Sequence, residues 1–249
     1  MDKFKVNCGS DNGTFLVTES YKKLYNKLKS LKNTRGRIIH VVGAPGTGKS
    51  TNIYAAMSEL GLNVYDVGLK ITDQEMSSKL LFNQVFKDMK QFFNAKSKND
   101  VYEYLAEYDA LLFADKFHDS HLIDSKTVGF SLWAKNKGLS SFKFYLLCIK
   151  EYLQNRKDYN RVNILLQTAW RVKIGSKKYD LFSDFGAVSW LLVGFMGIFF
   201  EVVEIKYSDK ETLKIVQNHV DADEKTIASF MDKYGNKPRI ICYELENEQ

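Results

Sequence analysis

The chain has 249 residues, of which 45% are hydrophobic and 14% aromatic, which is enough for one sizeable core. Two prolines and 15 glycines exclude a collagen-like chain and argue against a disordered one. The net charge of +6 is compatible with a nucleic-acid partner, and the basic residues are densest in residues 21–37. Three widely spaced cysteines without a Cys-x-x-Cys pair favour a reducing compartment, so we expect a cytoplasmic location.

The first elements in chain order lead to a glycine-rich loop. A short β-like stretch at residues 14–18 precedes a predicted helix at residues 20–31, where leucines recur at helical spacing. An apolar, β-rich run at residues 37–42 then stops at a glycine. We interpret residues 1–35 as an N-terminal extension packed on the core, and residues 36–249 as the main domain.

The rest of the chain alternates strand patterns with helix patterns. Helices are predicted from about residue 49 to 60, 72 to 93 and 140 to 155, the last within a helical insert at about 116–161, and two short helices near the end. Strands are predicted at residues 62–67, 109–115, 162–167 and 199–207, with a terminal strand at 239–245. Because the strands are nearly continuous apolar runs, we predict a three-layer α/β/α fold with a mostly parallel central sheet.

The most apolar stretch is residues 186–200, GAVSWLLVGFMGIFF. Its 15 uncharged residues are fewer than the ~20 that a membrane-spanning helix needs, and Glu201 and Glu204 follow closely. We therefore expect a buried helix that leads into a central strand, and no membrane insertion.

The strongest motif in the chain is G-x-x-x-x-G-K-[ST], matched without departure between a predicted strand and a predicted helix. Its glycines permit a tight turn whose N–H groups converge, and the helix dipole adds positive charge, so the loop suits a polyphosphate. Lys49 is expected to reach the β- and γ-phosphates, and the Ser50 hydroxyl to bind Mg²⁺. The predicted cofactors are ATP and Mg²⁺, and the predicted binding residues are Gly43, Ala44, Pro45, Gly46, Thr47, Gly48, Lys49, Ser50 and Thr51.

This segment resembles the Walker A motif of the P-loop NTPase superfamily, and the similarity is strong only from residue 38 to about residue 55. The resemblance favours the additional-strand branch of AAA+ and RecA-like ATPases. It implies an aspartate that orients the Mg²⁺ shell at the end of an apolar strand, for which Asp115 is the best candidate and Asp66 the rival. Many such ATPases place a glutamate directly after this aspartate, whereas this chain has Lys116, so fast hydrolysis is in doubt.

The same resemblance implies a γ-phosphate sensor at the end of the fourth strand. Gln167 or Thr168 matches that position, and Arg171 is a candidate for stabilising transition-state charge, within the chain or across a subunit boundary. The alternative is a strand end with ordinary surface residues. The predicted catalytic residues are therefore Lys49, Asp115, Gln167, Thr168 and Arg171, with Ser50 and Asp115 at the metal.

The leading functional hypothesis is an ATPase that couples ATP binding and hydrolysis to a conformational change on a partner, either nucleic acid or another protein. One alternative is a nucleotide or small-molecule kinase, whose loop looks similar, although the chain has no arginine-rich lid segment. Another is a non-catalytic ATP-binding switch that oligomerises. A strand inserted between those that carry Lys49 and Asp115 would favour the ATPase. The absence of an Asn-Lys-x-Asp segment favours ATP over GTP.

Overall fold

The computed structural model describes residues 15–67, 78–114, 138–168, 171–174 and 177–248. The central sheet has five strands, namely β1 (Ile38–Val42), β2 (Val64–Asp66), β3 (Leu111–Ala114), β4 (Ile164–Thr168) and β7 (Glu201–Glu204). Their order in the sheet is β2-β3-β4-β1-β7, and all four strand pairs are parallel. A separate antiparallel hairpin consists of β5 (Arg171–Ile174) and β6 (Lys177–Asp180).

Helices cover both faces of this sheet and extend beyond it. Before β4 lie α1 (Glu19–Ser30), α2 (Lys49–Glu59), α3 (Ser78–Phe93), α4 (Lys98–Glu107), α5 (Gly138–Gln154) and α6 (Arg156–Tyr159). After the hairpin lie α7 (Ala187–Phe199), α8 (Asp209–Gln217), α9 (Glu224–Tyr234) and α10 (Pro238–Glu248).

The side chains of alternate strand residues pack into two hydrophobic cores, one on each face of the sheet, as expected for a sheet covered on both faces. Leu111, Phe113 and Leu165 pack with α1 and α2 on one face. Their neighbours Leu112 and Ile164 pack with α3 and α4 on the other face. The three-layer α/β/α fold with a mostly parallel sheet is therefore confirmed.

The last three helices form a unit with a core of its own. Val216 from α8, Ile227 and Phe230 from α9, and Ile241 and Leu245 from α10 are buried against one another. This three-helix unit follows β7 directly, so it is held beside the carboxyl ends of the strands.

Four expectations from the sequence were wrong. The predicted terminal strand is the helix α10, because Pro238 fixes φ at its first position while Ile241 and Leu245, four residues apart, face the three-helix core. The loop predicted at residues 175–184 contains the strand β6 of the hairpin. The described part of residues 14–18 forms no strand, and Thr18 caps α1 instead.

The fourth error concerns the most apolar stretch. Its helix α7 is largely exposed rather than buried, and β7, which follows it, is the last strand in the order of the sheet rather than a central one. No helix within the described ranges is long and apolar enough to cross a membrane.

Candidate nucleotide-binding site

The glycine-rich loop joins the central strand β1 to the first turn of α2. Gly48 has φ +70°, a left-handed conformation that glycine adopts without strain, and it directly precedes Lys49 at the helix start. Gly43 has φ +152°, and a Cβ there would lie 2.5 Å from the carbonyl oxygen of Ile205. The loop therefore has the shape that the motif predicts, and at Gly43 a close backbone approach explains the glycine.

Lys49 lies folded back against its own loop. Its side chain is only 6% exposed, and Nζ donates hydrogen bonds to the carbonyl oxygens of Gly43 (2.7 Å) and Ala44 (3.1 Å). Thr47 Oγ1 also donates to the Ala44 oxygen, at 2.8 Å. Thr51 is exposed, whereas four members of the motif are half-buried, namely Pro45, Gly46, Gly48 and Ser50.

The polar tip of β4 meets the start of α2. Ser50 Oγ donates a hydrogen bond to Gln167 Oε1 at 2.9 Å, which joins the predicted metal residue to a predicted sensor residue. Thr168 is one residue further on, and its hydroxyl lies 2.9 Å from Nδ1 of His40 on β1. Burial lowers the pKa of His40 to about 4, so its imidazole is neutral at pH 7.

Asp115 and the side chain of Arg171 lie outside the described residues. The last described residue of β3 is Ala114, directly before Asp115, and it pairs with Leu166 of β4. The backbone of Arg171 is in register with Asp180 across the hairpin. The rival Asp66 ends the edge strand β2, three strands away from β1, and accepts a hydrogen bond from Tyr54.

A carboxylate that the sequence did not single out, Asp180, is buried near this loop. Its side chain is fully buried, and Oδ1 accepts a hydrogen bond from the Phe182 amide (2.8 Å), while Oδ2 has no hydrogen-bond partner among the residues that the structure describes. Burial raises the pKa of Asp180 to about 6, against the lowering effects of that amide and the positive charge of Lys49. A single aspartate at the end of a hairpin strand gives no sequence signal, so only the fold could reveal it.

The start of α10 covers the other side of the loop. The Arg239 amide donates to the Gly46 oxygen at 3.1 Å, and a Cβ at Gly46 would lie 2.8 Å from Ile240 Cγ1. Lys237 forms an ion pair with Asp184, at 3.1 Å, in the turn that follows β6. Sequence reasoning missed the contact between α10 and the loop, because residues 239–245 were predicted to be a strand.

The residues that are present fit a polyphosphate and Mg²⁺. A helix N-terminus, a turn that contains three glycines and one ammonium group converge where β1 ends. Ser50 and Gln167 place a hydroxyl and an amide oxygen side by side, and oxygen atoms are the ligands that Mg²⁺ prefers. No group of three or more His, Cys, Asp or Glu side chains suited to a metal occurs in the part of the chain that the structure describes.

Comparison with known proteins gives a likeness in structure but none in sequence. No family model matches the chain, and no curated protein matches it in sequence. Among solved structures, the chain is similar to the replication initiator DnaA bound to AMPPCP and single-stranded DNA, at 18% identity and a TM-score of 0.42. The match covers 93% of this chain and 62% of the DnaA chain.

Proposed function

We propose that this protein is a Mg²⁺-dependent ATPase that couples ATP binding and hydrolysis to a conformational change on a nucleic-acid partner. One observation carries the proposal. The strand β4 lies between β1, which leads into the phosphate loop, and β3, which leads into Asp115, and its tip residue Gln167 is hydrogen-bonded to Ser50. A sensor strand next to the phosphate loop favours an ATPase over a kinase of the nucleoside monophosphate type.

The proposed roles follow from where the residues lie. Bound ATP supplies the anion that Lys49 would hold in place of the carbonyl oxygens of Gly43 and Ala44. Ser50 would bind the metal, and Gln167, which is hydrogen-bonded to Ser50, would detect the γ-phosphate. Asp115 and Arg171 keep their predicted roles in orienting the metal shell and stabilising charge.

A slow nucleotide switch is the second candidate function. Lys116 stands where a catalytic glutamate is common, and Lys49 is satisfied by its own loop and almost buried. Both features suit a protein that binds ATP and turns it over slowly. Turnover measurements distinguish this candidate, because a switch binds ATP without sustained phosphate release.

The distribution of charge supports nucleic acid as the partner. Residues 19–37 contain seven of the 36 basic residues and one of the 30 acidic ones, so their net charge of +6 equals that of the whole chain. The other residues balance 29 basic against 29 acidic side chains. One helix and the turn after it therefore carry the entire excess of positive charge.

The outer face of α1 presents this charge to solvent. Its leucines are buried, whereas Lys23, Lys29 and Lys32 are exposed and form no ion pair with any residue that the structure describes. Lysines act as point charges on phosphates without reading bases, so this surface fits a nucleic-acid backbone. A lipid surface fits less well, because the apolar face of α1 is already packed in the core.

The first test is ATP turnover by the wild type, Lys49→Ala and the control Lys225→Ala, each with and without DNA. Lys49→Ala is expected to lose about 100-fold or more of turnover, since the ammonium group that offsets phosphate charge is gone. Lys225 is exposed on α9, so its variant should keep wild-type rates. Equal turnover by wild type and Lys49→Ala, with unchanged circular dichroism, would refute the ATPase.

The second test measures the affinity for a short single-stranded DNA and for its duplex at several salt concentrations. Replacing Lys23, Lys29 and Lys32 by Gln should weaken binding and reduce the slope of log K against log salt by about 2 to 3, one unit for each lost phosphate contact. The control replaces Lys210, Lys214 and Lys225 by Gln, so it has the same net charge as the first triple variant. These three lysines are exposed in the three-helix unit. Equal losses in both triple variants would remove the α1 surface from the proposal but leave the ATPase intact.

A further inference from the structure

The helix α7 presents apolar side chains to solvent over more than half of its circumference. Its 13 residues contain no charge, and six large side chains are between 52% and 73% exposed. They are Val188, Trp190, Leu191, Phe195, Ile198 and Phe199. Helices that are apolar on all sides are ordinarily buried, so this surface indicates a missing partner.

A membrane does not suit this helix. Its 13 residues span about 20 Å, short of the ~30 Å of a bilayer core. A helix that lies in the interface needs a charged face, often rich in Lys or Arg, and α7 has none. Residues 180–204 contain four acidic side chains and no basic one, so anionic lipids would repel the segment.

The exposed face is complementary to itself. Leu191, Gly194, Phe195 and Ile198 follow one another at the i, i+3, i+4, i+7 spacing of a single helix face. Leu191 and Ile198 lie symmetrically about the middle of this set, so an antiparallel copy would bring Leu191 of each helix against Ile198 of the other. A Cβ at Gly194 would have no atom within 4 Å, which leaves room for a close approach.

Size and charge also suit a second copy. The six exposed side chains offer on the order of 700 Å² of apolar area, close to the ~800 Å² that each partner buries in a standard interface. Because α7 is uncharged, two copies meet there without like-charge repulsion, although each chain carries +6 overall. We infer that α7 is a self-association face, through which two copies of this chain pair with their α7 helices antiparallel.

The experiment compares the mass of three proteins in solution, by sedimentation velocity over a range of concentrations. The wild type is expected to approach twice 28.7 kDa as its concentration rises. The double variant Leu191→Lys, Ile198→Lys should stay at the monomer mass, because it places charge at the centre of the pair. The control is Leu146→Lys, Leu153→Lys on α5, where two leucines with the same seven-residue spacing are 60% and 64% exposed.

Each outcome has a defined meaning. A dimeric control beside a monomeric α7 variant, both with wild-type circular dichroism, supports the inference. A wild type that stays monomeric at every concentration overturns it, and so does an α7 variant that still dimerises. A monomeric wild type that sediments with phosphatidylcholine vesicles would assign the face to a lipid surface and would also overturn it. ATP turnover is not a readout here, so the inference stands or fails independently of the ATPase.

Discussion

Charged side chains are usually exposed and large apolar ones buried, and the phosphate loop and α7 depart from this distribution in opposite ways. At the loop, charged groups are buried, with Lys49 only 6% exposed and Asp180 fully enclosed. Along α7, large apolar groups lie in solvent. Asp180 is separated from α7 by only residues 181–186, whereas the loop itself lies much earlier in the chain, between β1 and α2.

Both arrangements make the folded state less stable than ordinary packing would. A buried carboxylate that lacks one hydrogen bond is costly, and exposed aromatic rings forgo the gain of leaving water. Such arrangements are expected where a molecule binds something, since a ligand or a partner supplies the missing interactions. The contrast is consistent with both proposals, a small charged ligand at the loop and a large apolar partner at α7.

The strongest test of this contrast makes the same substitution in both regions. Gly43→Ala should reduce the free energy of unfolding by about 3 kcal/mol, because its positive φ adds strain and its Cβ would lie 2.5 Å from a backbone oxygen. Gly197→Ala should instead increase it by up to about 1 kcal/mol, since alanine favours helix and no atom lies within 4 Å of the new Cβ.

Urea unfolding at a low protein concentration measures both effects without interference from association. Gly61→Ala is the matched control for backbone strain, because Gly61 has φ +59° and open space around its Cβ. It should fall between the other two variants. A Gly43→Ala protein as stable as Gly61→Ala would show that the loop is not closely packed against the end of β7.

The sequence predicted the loop well because its geometry is local. The Gly-Lys-Ser end of the motif needs only a preceding strand and a following helix, and both flanking patterns are strong. The contact between Ser50 and Gln167 could also be anticipated, since parallel strands bring their carboxyl ends to one edge. The roles of Asp115 and Arg171 remain predictions.

The failures concern contacts that only the assembled fold creates. The stretch at residues 239–245 has a β-like composition, but it forms a helix because its apolar side chains pack in the three-helix core. The hydropathy of the sequence shows that α7 is apolar, but it cannot show that α7 is exposed to solvent in the folded chain. The missed helix α4 did carry a signal, a capping box formed by Ser97 and Asp100.

A smaller expected effect is the dependence of stability on pH that the ionisation of the buried Asp180 causes. Its folded-state pKa of about 6 lies above the ordinary value of 3.8, so folding favours the protonated form. Stability from this group is therefore fully present below pH ~4 and is lost as the pH rises to about 6, by an amount on the order of 3 kcal/mol. Above pH 6 the folded protein must hold the carboxylate ionised.

Asp180→Asn removes that ionisation while its side-chain oxygen can still accept the hydrogen bond from Phe182. We expect the variant to be more stable than the wild type by about 1 kcal/mol at pH 7.5, because the new amide group leaves a buried donor that offsets part of the gain. The difference should shrink to zero or reverse near pH 4, as thermal unfolding at both pH values would show. A difference that is independent of pH would mean that Asp180 is not desolvated, and that the loop is less enclosed than its contacts indicate.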